Sequence, residues 1–252
     1  MAFGNQKTVY TGSRTIDQAA FDAGLRAHML RVYNYMASGL ALTGIFAVIV
    51  AQMAAVTNDA GQIIGLTSLG QTLFGSPLKW VIMLAPLGLV FFLMARLHTL
   101  KQSTAQAVFW FYAALMGVSL AVVLLTFTGA SVARVFFITA GTFAGMSLWG
   151  YTTKKDLTGM GSFLFMGLIG IIIAAVVNMF LQSSALQFAI SVVGVLVFVG
   201  LTAYDTQSIK NEYAEHLDEE TKGKLAISGA LRLYLDFINL FIMLLHLFGD
   251  RR

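Results

Sequence analysis

Asp205 and Asp236 are the residues of this chain best placed to do chemistry. Asp205 follows the apolar run 189–204, and Asp236 lies inside the run 231–248. Nearly every other carboxylate falls in a connection or near a terminus. A carboxylate within a bilayer is costly, so one that persists faces protein, water or an ion route. Two carboxylates in contact at low dielectric resist double ionisation and share a proton, and they titrate as a pair. Protonated, such a pair can hold two helices together; ionised, it repels itself or recruits a cation. It is a candidate pH sensor and a candidate transient metal site.

The residues around the pair refine that chemistry. Arg232, Asp236 and Asn239 share one helical face at i, i+4 and i+7. Arg232 could neutralise Asp236 or reach the headgroups. Arg96, at the end of another apolar run, is a second candidate counter-charge. A hard cation such as calcium takes six to eight oxygens. Two aspartates with Asn239, Tyr204, Thr202 and backbone carbonyls give a partial shell, suited to passage more than to storage. Asn178 is expected to hydrogen-bond between helices. The plainer readings are an interfacial cap for Asp205, an ion pair with Arg232 for Asp236, and a membrane-edge anchor for Arg96.

Composition defines the scaffold. Hydrophobic residues make up 58% of the 252 and charged residues only 11%, against about 25% in soluble domains. Mean hydropathy is +0.77. This is the signature of an all-α polytopic membrane protein. A helix needs about 20 apolar residues to cross the hydrocarbon core. Seven stretches qualify, near 32–54, 79–95, 105–127, 133–152, 160–181, 185–204 and 228–248. Residues 1–25 read as a mobile cytoplasmic tail and 26–252 as one seven-helix transmembrane domain. The connection 57–77 reads as a surface-lying, partly re-entrant or plainly ordered segment. The connection 206–227 reads as a long loop that lets the last two helices pack antiparallel. Gly161, Gly167, Gly170, Gly194 and Gly200 are candidates for close helix approach. Pro86 should kink the second span.

Lys7, Arg14, Arg26 and Arg31 precede the first span. Arg96, His98, Lys101, Lys154, Lys155, Lys210, Lys222 and Lys224 fall in alternate connections, and the intervening ones are nearly bare. The positive-inside rule then puts the N-terminus in the cytoplasm and both aspartates towards the cytoplasmic side. Seven crossings send the C-terminus outside; a half-inserted last segment returning to the cytoplasm is the alternative. The basic residues form no stripe, so nucleic acid is not an expected partner. Cysteine is absent, which excludes disulfides, thiolate metal sites and cysteine catalysis. HExxH, GxGxxG, Walker A and GxSxG patterns are missing, so no enzyme and no tightly bound cofactor are expected. An intramembrane aspartyl protease is a minor alternative; no glycine-flanked GxGD surrounds the second aspartate.

The stretches GLTAYDTQSI (200–209) and GALRLYLDFINLFIMLLHLFG (229–249) closely resemble the Bax inhibitor (TMBIM) family. LRAHMLRVYNYMASGLALTG (25–44) is similar to its bacterial branch, which includes partners of a membrane-anchored AAA protease. The resemblance covers essentially the whole chain. It implies a seven-helix bundle with the last helix central, surrounded by the other six. It further implies a pH-sensitive calcium leak of the bacterial inner membrane, sensed by a pair matching Asp205 and Asp236 and latched by an arginine at or beside Arg96. An acidic residue found early in the second helix of some members is absent from WVIMLAPLGLVFF (80–92). The spacing between the aspartates is long, and its acidic cluster (Glu215, Asp218, Glu219, Glu220) could draw cations to the mouth or merely be solvated. The alternative function is a non-transporting regulator of the protease, gripped through residues 1–25. The expected partners are the lipid bilayer, calcium or another cation, and the protease.

Overall fold

A computed structural model describes the backbone of residues 7–58 and 62–252, with side chains from residue 20 onward. Each apolar run has become a helix: α1 (Lys7–Ala54), α3 (Leu78–Arg96), α4 (Gln102–Thr126), α5 (Gly129–Thr152), α6 (Thr158–Leu181), α7 (Ser184–Glu212) and α8 (Glu219–Phe248). Seven of the described helices are long and apolar enough to cross a membrane. Their outward side chains are apolar too; Phe137 is 72% and Phe180 81% exposed. Water would not tolerate that surface, and lipid favours it.

Polar punctuation ends the helices. Thr128 and Ser183 accept the Ser131 and Leu186 amides, capping α5 and α7. Gln182 closes α6 in a left-handed conformation, with its amide on the Asn178 carbonyl at 2.8 Å. Pro86 lies buried within α3, which stays helical through it. The connection after α1 is ordered: β1 (Ala55–Thr57) and β2 (Ile63–Leu66) pair antiparallel, and a short helix α2 (Ser68–Gly70) opens into a wider turn over Gln71–Gly75.

α8 is the most buried helix. It packs against α1, α4, α5 and α7, while α3 leans on α4 and α6 on α7. The central last helix is as expected, but four helices form most of its wall, not six. Leu233, Tyr234, Leu240 and Leu245 of α8 are fully or almost fully buried. Tyr234 and Thr43 hydroxyls meet at 2.7 Å, and Thr43 Oγ1 lies 2.9 and 2.8 Å from the Gly39 and Ala113 carbonyls, joining α8 to α1 and α4. Tyr33, Ser147 and Thr206 form a second ladder at 2.7 and 2.9 Å across α1, α5 and α7. At Gly150 the α5 backbone lies against the Ala203 backbone of α7, leaving no room for a Cβ.

Three boundaries differ from the expectation. α1 begins inside the segment read as a tail, with helical backbone from Lys7 and Leu25 already in the core. α7 does not end at Asp205 but runs to Glu212, and α8 starts at Glu219. The connection read as 206–227 is therefore the short turn 213–218. Hydropathy marks where side chains leave the hydrocarbon, whereas a helix continues as long as its backbone bonds do. At about 1.5 Å per residue α7 is about 43 Å long, more than the roughly 30 Å core, so its last turns stand beyond it.

α8 is one continuous helix of 30 residues with no reversal along it. The C-terminal residues close the end of the bundle away from the α7–α8 turn. Arg134 Nη2 meets Asp250 Oδ2 at 2.7 Å, and Arg252 Nε donates to the Phe127 carbonyl at 3.1 Å. The α3–α4, α5–α6 and α7–α8 connections gather at the other end with most of the basic residues, making it the basic end of the bundle.

Candidate functional site

Asp205 of α7 and Asp236 of α8 are brought together. Their carboxyl groups lie within hydrogen-bonding reach of each other. Asp236 is 4% exposed, and its Oδ2 has no hydrogen-bonded N–H or O–H partner among the described residues. The contact exists because α7 and α8 pack antiparallel about a short turn, setting the late part of one helix beside the middle of the other.

The pair faces a cavity of about 550 Å³. Met94 of α3 lines it, with Gly161, Phe165 and Leu168 of α6, Leu201 and Tyr204 of α7, and Leu235 and Asn239 of α8. Its walls are mostly apolar, and its polar groups are concentrated at the pair. Gly161 matters here: a Cβ would strike the Tyr204 ring, so glycine lets α6 approach while the ring flanks Asp205.

Arg232 is the cation at the site, but it does not pair first with Asp236. Its Nη2 donates to both Glu212 oxygens at 2.7 and 2.6 Å, and its Nη1 to Ser208 Oγ at 3.3 Å. Nη1 also lies 3.8 Å from Asp205 Oδ1. The plainer reading, an Arg232–Asp236 ion pair, is not what forms: the guanidinium forks on Glu212 with a longer reach to Asp205. One helical turn explains this: α8 carries Arg232 nearer the basic end than Asp236, level with the end of α7.

The other expected residues are distributed as follows. Asn239 lines the cavity, with Nδ2 on the Leu235 carbonyl at 2.8 Å. Thr202 is fully buried and donates to the Phe198 carbonyl at 2.8 Å. Asn178 receives the Ser183 amide at 2.9 Å and reaches Gln187 Oε1 at 3.3 Å, fastening the α6–α7 turn. Arg96 ends α3 exposed and makes no side-chain hydrogen bond or ion pair among the described residues. Met94, not Arg96, is the residue of that turn which lines the cavity. His246 contacts Gln187 at 3.2 Å, far along α8 from the pair.

The acidic cluster of the turn has local partners. Asp218 caps α8 through the Thr221 amide at 3.0 Å, and Thr221 holds its carboxyl below the usual range. Glu219 and Glu220 each lie 3.3 Å from lysines one turn on. Among the described residues no group of three or more His, Asp or Glu is assembled to hold a metal.

Glu212 and Ser208 were not singled out from the sequence. Their signal was spacing: Asp205, Ser208 and Glu212 follow at i, i+3 and i+7, one face of α7 once the helix is continued past Asp205. His28 was also passed over. It is 5% exposed, its ring lies 5.5 Å from that of Tyr213, and neither nitrogen has a hydrogen-bond partner among the described residues.

A bundle of membrane-length helices around a buried last helix, with an acidic pair facing a half-open cavity, defines a polytopic membrane protein with an ionisable pair between its last two helices. The chain belongs to the Bax inhibitor family: the family model for the inhibitor of apoptosis-promoting Bax1 matches residues 25–252. It is 46% identical to the uncharacterized protein RP147 of Rickettsia prowazekii, covering 98% of each chain. It is 45% identical to the inner membrane protein YbhL of Escherichia coli, over 91% of this chain and 94% of that one. An uncharacterized protein of Deinococcus radiodurans is 39% identical over 98% of this chain and 97% of its own.

Proposed function

We propose that this chain is a pH-gated cation leak of a bacterial inner membrane, with calcium as the leading cargo and no enzymatic activity. The observation that carries the reading is the meeting of Asp205 and Asp236 at the wall of a half-open cavity. Two carboxyls so placed hold one proton between them when the pair is closed. Loss of that proton leaves two negative charges facing the cavity, which separates the helices or draws in a cation. Asn239 and backbone carbonyls would supply further oxygens, and the incomplete shell favours transit over retention.

Arg232 is the counter-charge in this scheme. Its guanidinium is shared between Glu212 and Asp205, so it favours the ionised form of the pair without neutralising it fully. The charge pattern of the connections supports an N-terminus and an acidic pair on the cytoplasmic side, and the inner-membrane location accords with the name of the Escherichia coli relative.

Calcium-dependent fluorescence in proteoliposomes tests the proposal. Flux should rise from acid to alkaline pH in vesicles holding the parent, and lose that dependence with Asp205→Asn or Asp236→Asn. Equal flux in protein-containing and empty vesicles at every pH would refute it.

A further inference from the structure

A second cavity lies on the flank of the bundle, away from the acidic pair. α1 packs mainly on α4 and α8, and α5 on α7 and α8. The two helices diverge and leave a slot of about 550 Å³ between them, a size typical of small-ligand sites, about 300–1,000 Å³. Met29, Leu30, Phe143 and Leu148 form its walls. Across it runs the hydrogen bond from Tyr33 to Ser147, at 2.7 Å, so its polar groups are already joined to each other. Such a slot at bilayer depth has nothing to offer a hydrated ion and suits a hydrocarbon chain.

The mouth is different. Arg26 and Tyr151 line it at the basic end. Arg26 is exposed and makes no side-chain hydrogen bond or ion pair among the described residues. Lys210 donates to the Tyr151 carbonyl at 2.8 Å, with its ammonium 5.2 Å from the centre of that ring. Lys154 and Lys155 follow in the next turn. The acid of that turn, Asp156, is engaged by Thr158 at 2.6 and 2.9 Å. The mouth thus gathers four basic side chains, Arg26, Lys154, Lys155 and Lys210, against two acids, Asp156 and Asp22 one turn before Arg26, and so carries net positive charge above an apolar slot. A guanidinium matches two phosphate oxygens at once, and basic pockets between membrane helices take anionic headgroups.

We propose that the slot between α1 and α5 holds an acyl chain of an anionic phospholipid from the surrounding bilayer, whose phosphate is bound by Arg26. The site is separate from the acidic pair and stands whether or not the chain conducts cations.

Native mass spectrometry of the full chain provides the test, in detergent with equal amounts of phosphatidylglycerol and phosphatidylcholine of matched chains. Both lipids carry the phosphate, but the choline ammonium of the second offsets its charge, so the parent should retain phosphatidylglycerol over phosphatidylcholine by about fivefold, the scale of one basic residue at an anionic lipid surface. Arg26→Gln should bring the two to parity, and Ala144→Trp, which fills the slot, should remove both. Lys79→Gln, at the opposite end, should leave the preference intact. Equal retention of the two lipids by the parent, or an unchanged preference in Arg26→Gln, would overturn the proposal. Arg26→Gln is an exposed substitution and carries the test even if Ala144→Trp does not fold.

Discussion

Replacing Arg232 by Gln removes the only cation held against the acidic pair among the described residues. Its Nη1 lies 3.8 Å from Asp205 Oδ1, and unit charges about 4 Å apart attract by about 4 kcal/mol at an effective dielectric near 20. That is an upper figure, because the forked bonds to Glu212 at 2.6 and 2.7 Å already take much of the guanidinium charge. The sign follows from charge: without the cation the ionised pair is less favourable, so it keeps its proton to higher pH. The onset of flux should therefore move towards alkali, by less than the about three units to which about 4 kcal/mol corresponds. Proteoliposome flux, scanned between about pH 5 and pH 9 where perturbed carboxyls titrate, measures it. Glu212→Gln should move the onset the other way, since it returns the guanidinium to Asp205. Arg96→Gln should move it less than Arg232→Gln, because the Arg96 side chain is exposed and makes no contact with the pair. An Arg232→Gln protein of native helicity whose onset stays in place, or moves towards acid, would refute the reasoning.

Other consequences follow from packing and caps. Gly150→Ala drives a methyl into the Ala203 backbone and should destabilise the bundle by about 1–3 kcal/mol, seen as a lower melting temperature in detergent; an unchanged melt would contradict it. Thr43→Val leaves the Tyr234 hydroxyl without its acceptor and should cost about 1–3 kcal/mol. Tyr234→Phe leaves Thr43 its carbonyl partners and should cost only about 0.6 kcal/mol, so the order of the two melts decides the point. Thr221 holds Asp218 below the usual carboxylate range, so this cap stabilises the start of α8 above the unfolded carboxyl's range near about pH 4 and loses that effect as pH falls through its own lower value. The protection of the Thr221 and Lys222 amides, taken as the exchange rate relative to the intrinsic rate at each pH, should fall only in that acid window in the parent, and at all pH values in Asp218→Ala.

The spans were legible because lipid imposes one rule on every helix: an unbroken apolar run of sufficient length. The two aspartates were legible for the same reason, as violations of that rule within a motif shared with a known family. What hydropathy could not mark was the end of a helix outside the hydrocarbon. Stopping α7 at Asp205 hid Glu212 and Ser208, which continue the same face, and with them the forked bond that Arg232 makes to Glu212. Arg96 was drawn to the site by resemblance and by its place at the end of α3; its side chain lies exposed, while Met94 reaches the cavity. Gly161 was readable as a close-packing position, but only the fold shows that its neighbour is Tyr204, beside Asp205. Gly150 and the Thr43–Tyr234 bond depend on which helices touch, and single-chain periodicity does not encode that.

The account rests on one proton held between Asp205 and Asp236. Difference infrared spectroscopy of the carboxyl bands, titrated in lipid for the parent and for Asp236→Asn, observes it directly. The parent should show a shared carboxyl signal that disappears at a pH well removed from that of free aspartate, and Asp236→Asn should abolish it. Two bands in the parent that each titrate as free aspartate, unchanged when the partner is replaced, would contradict the account.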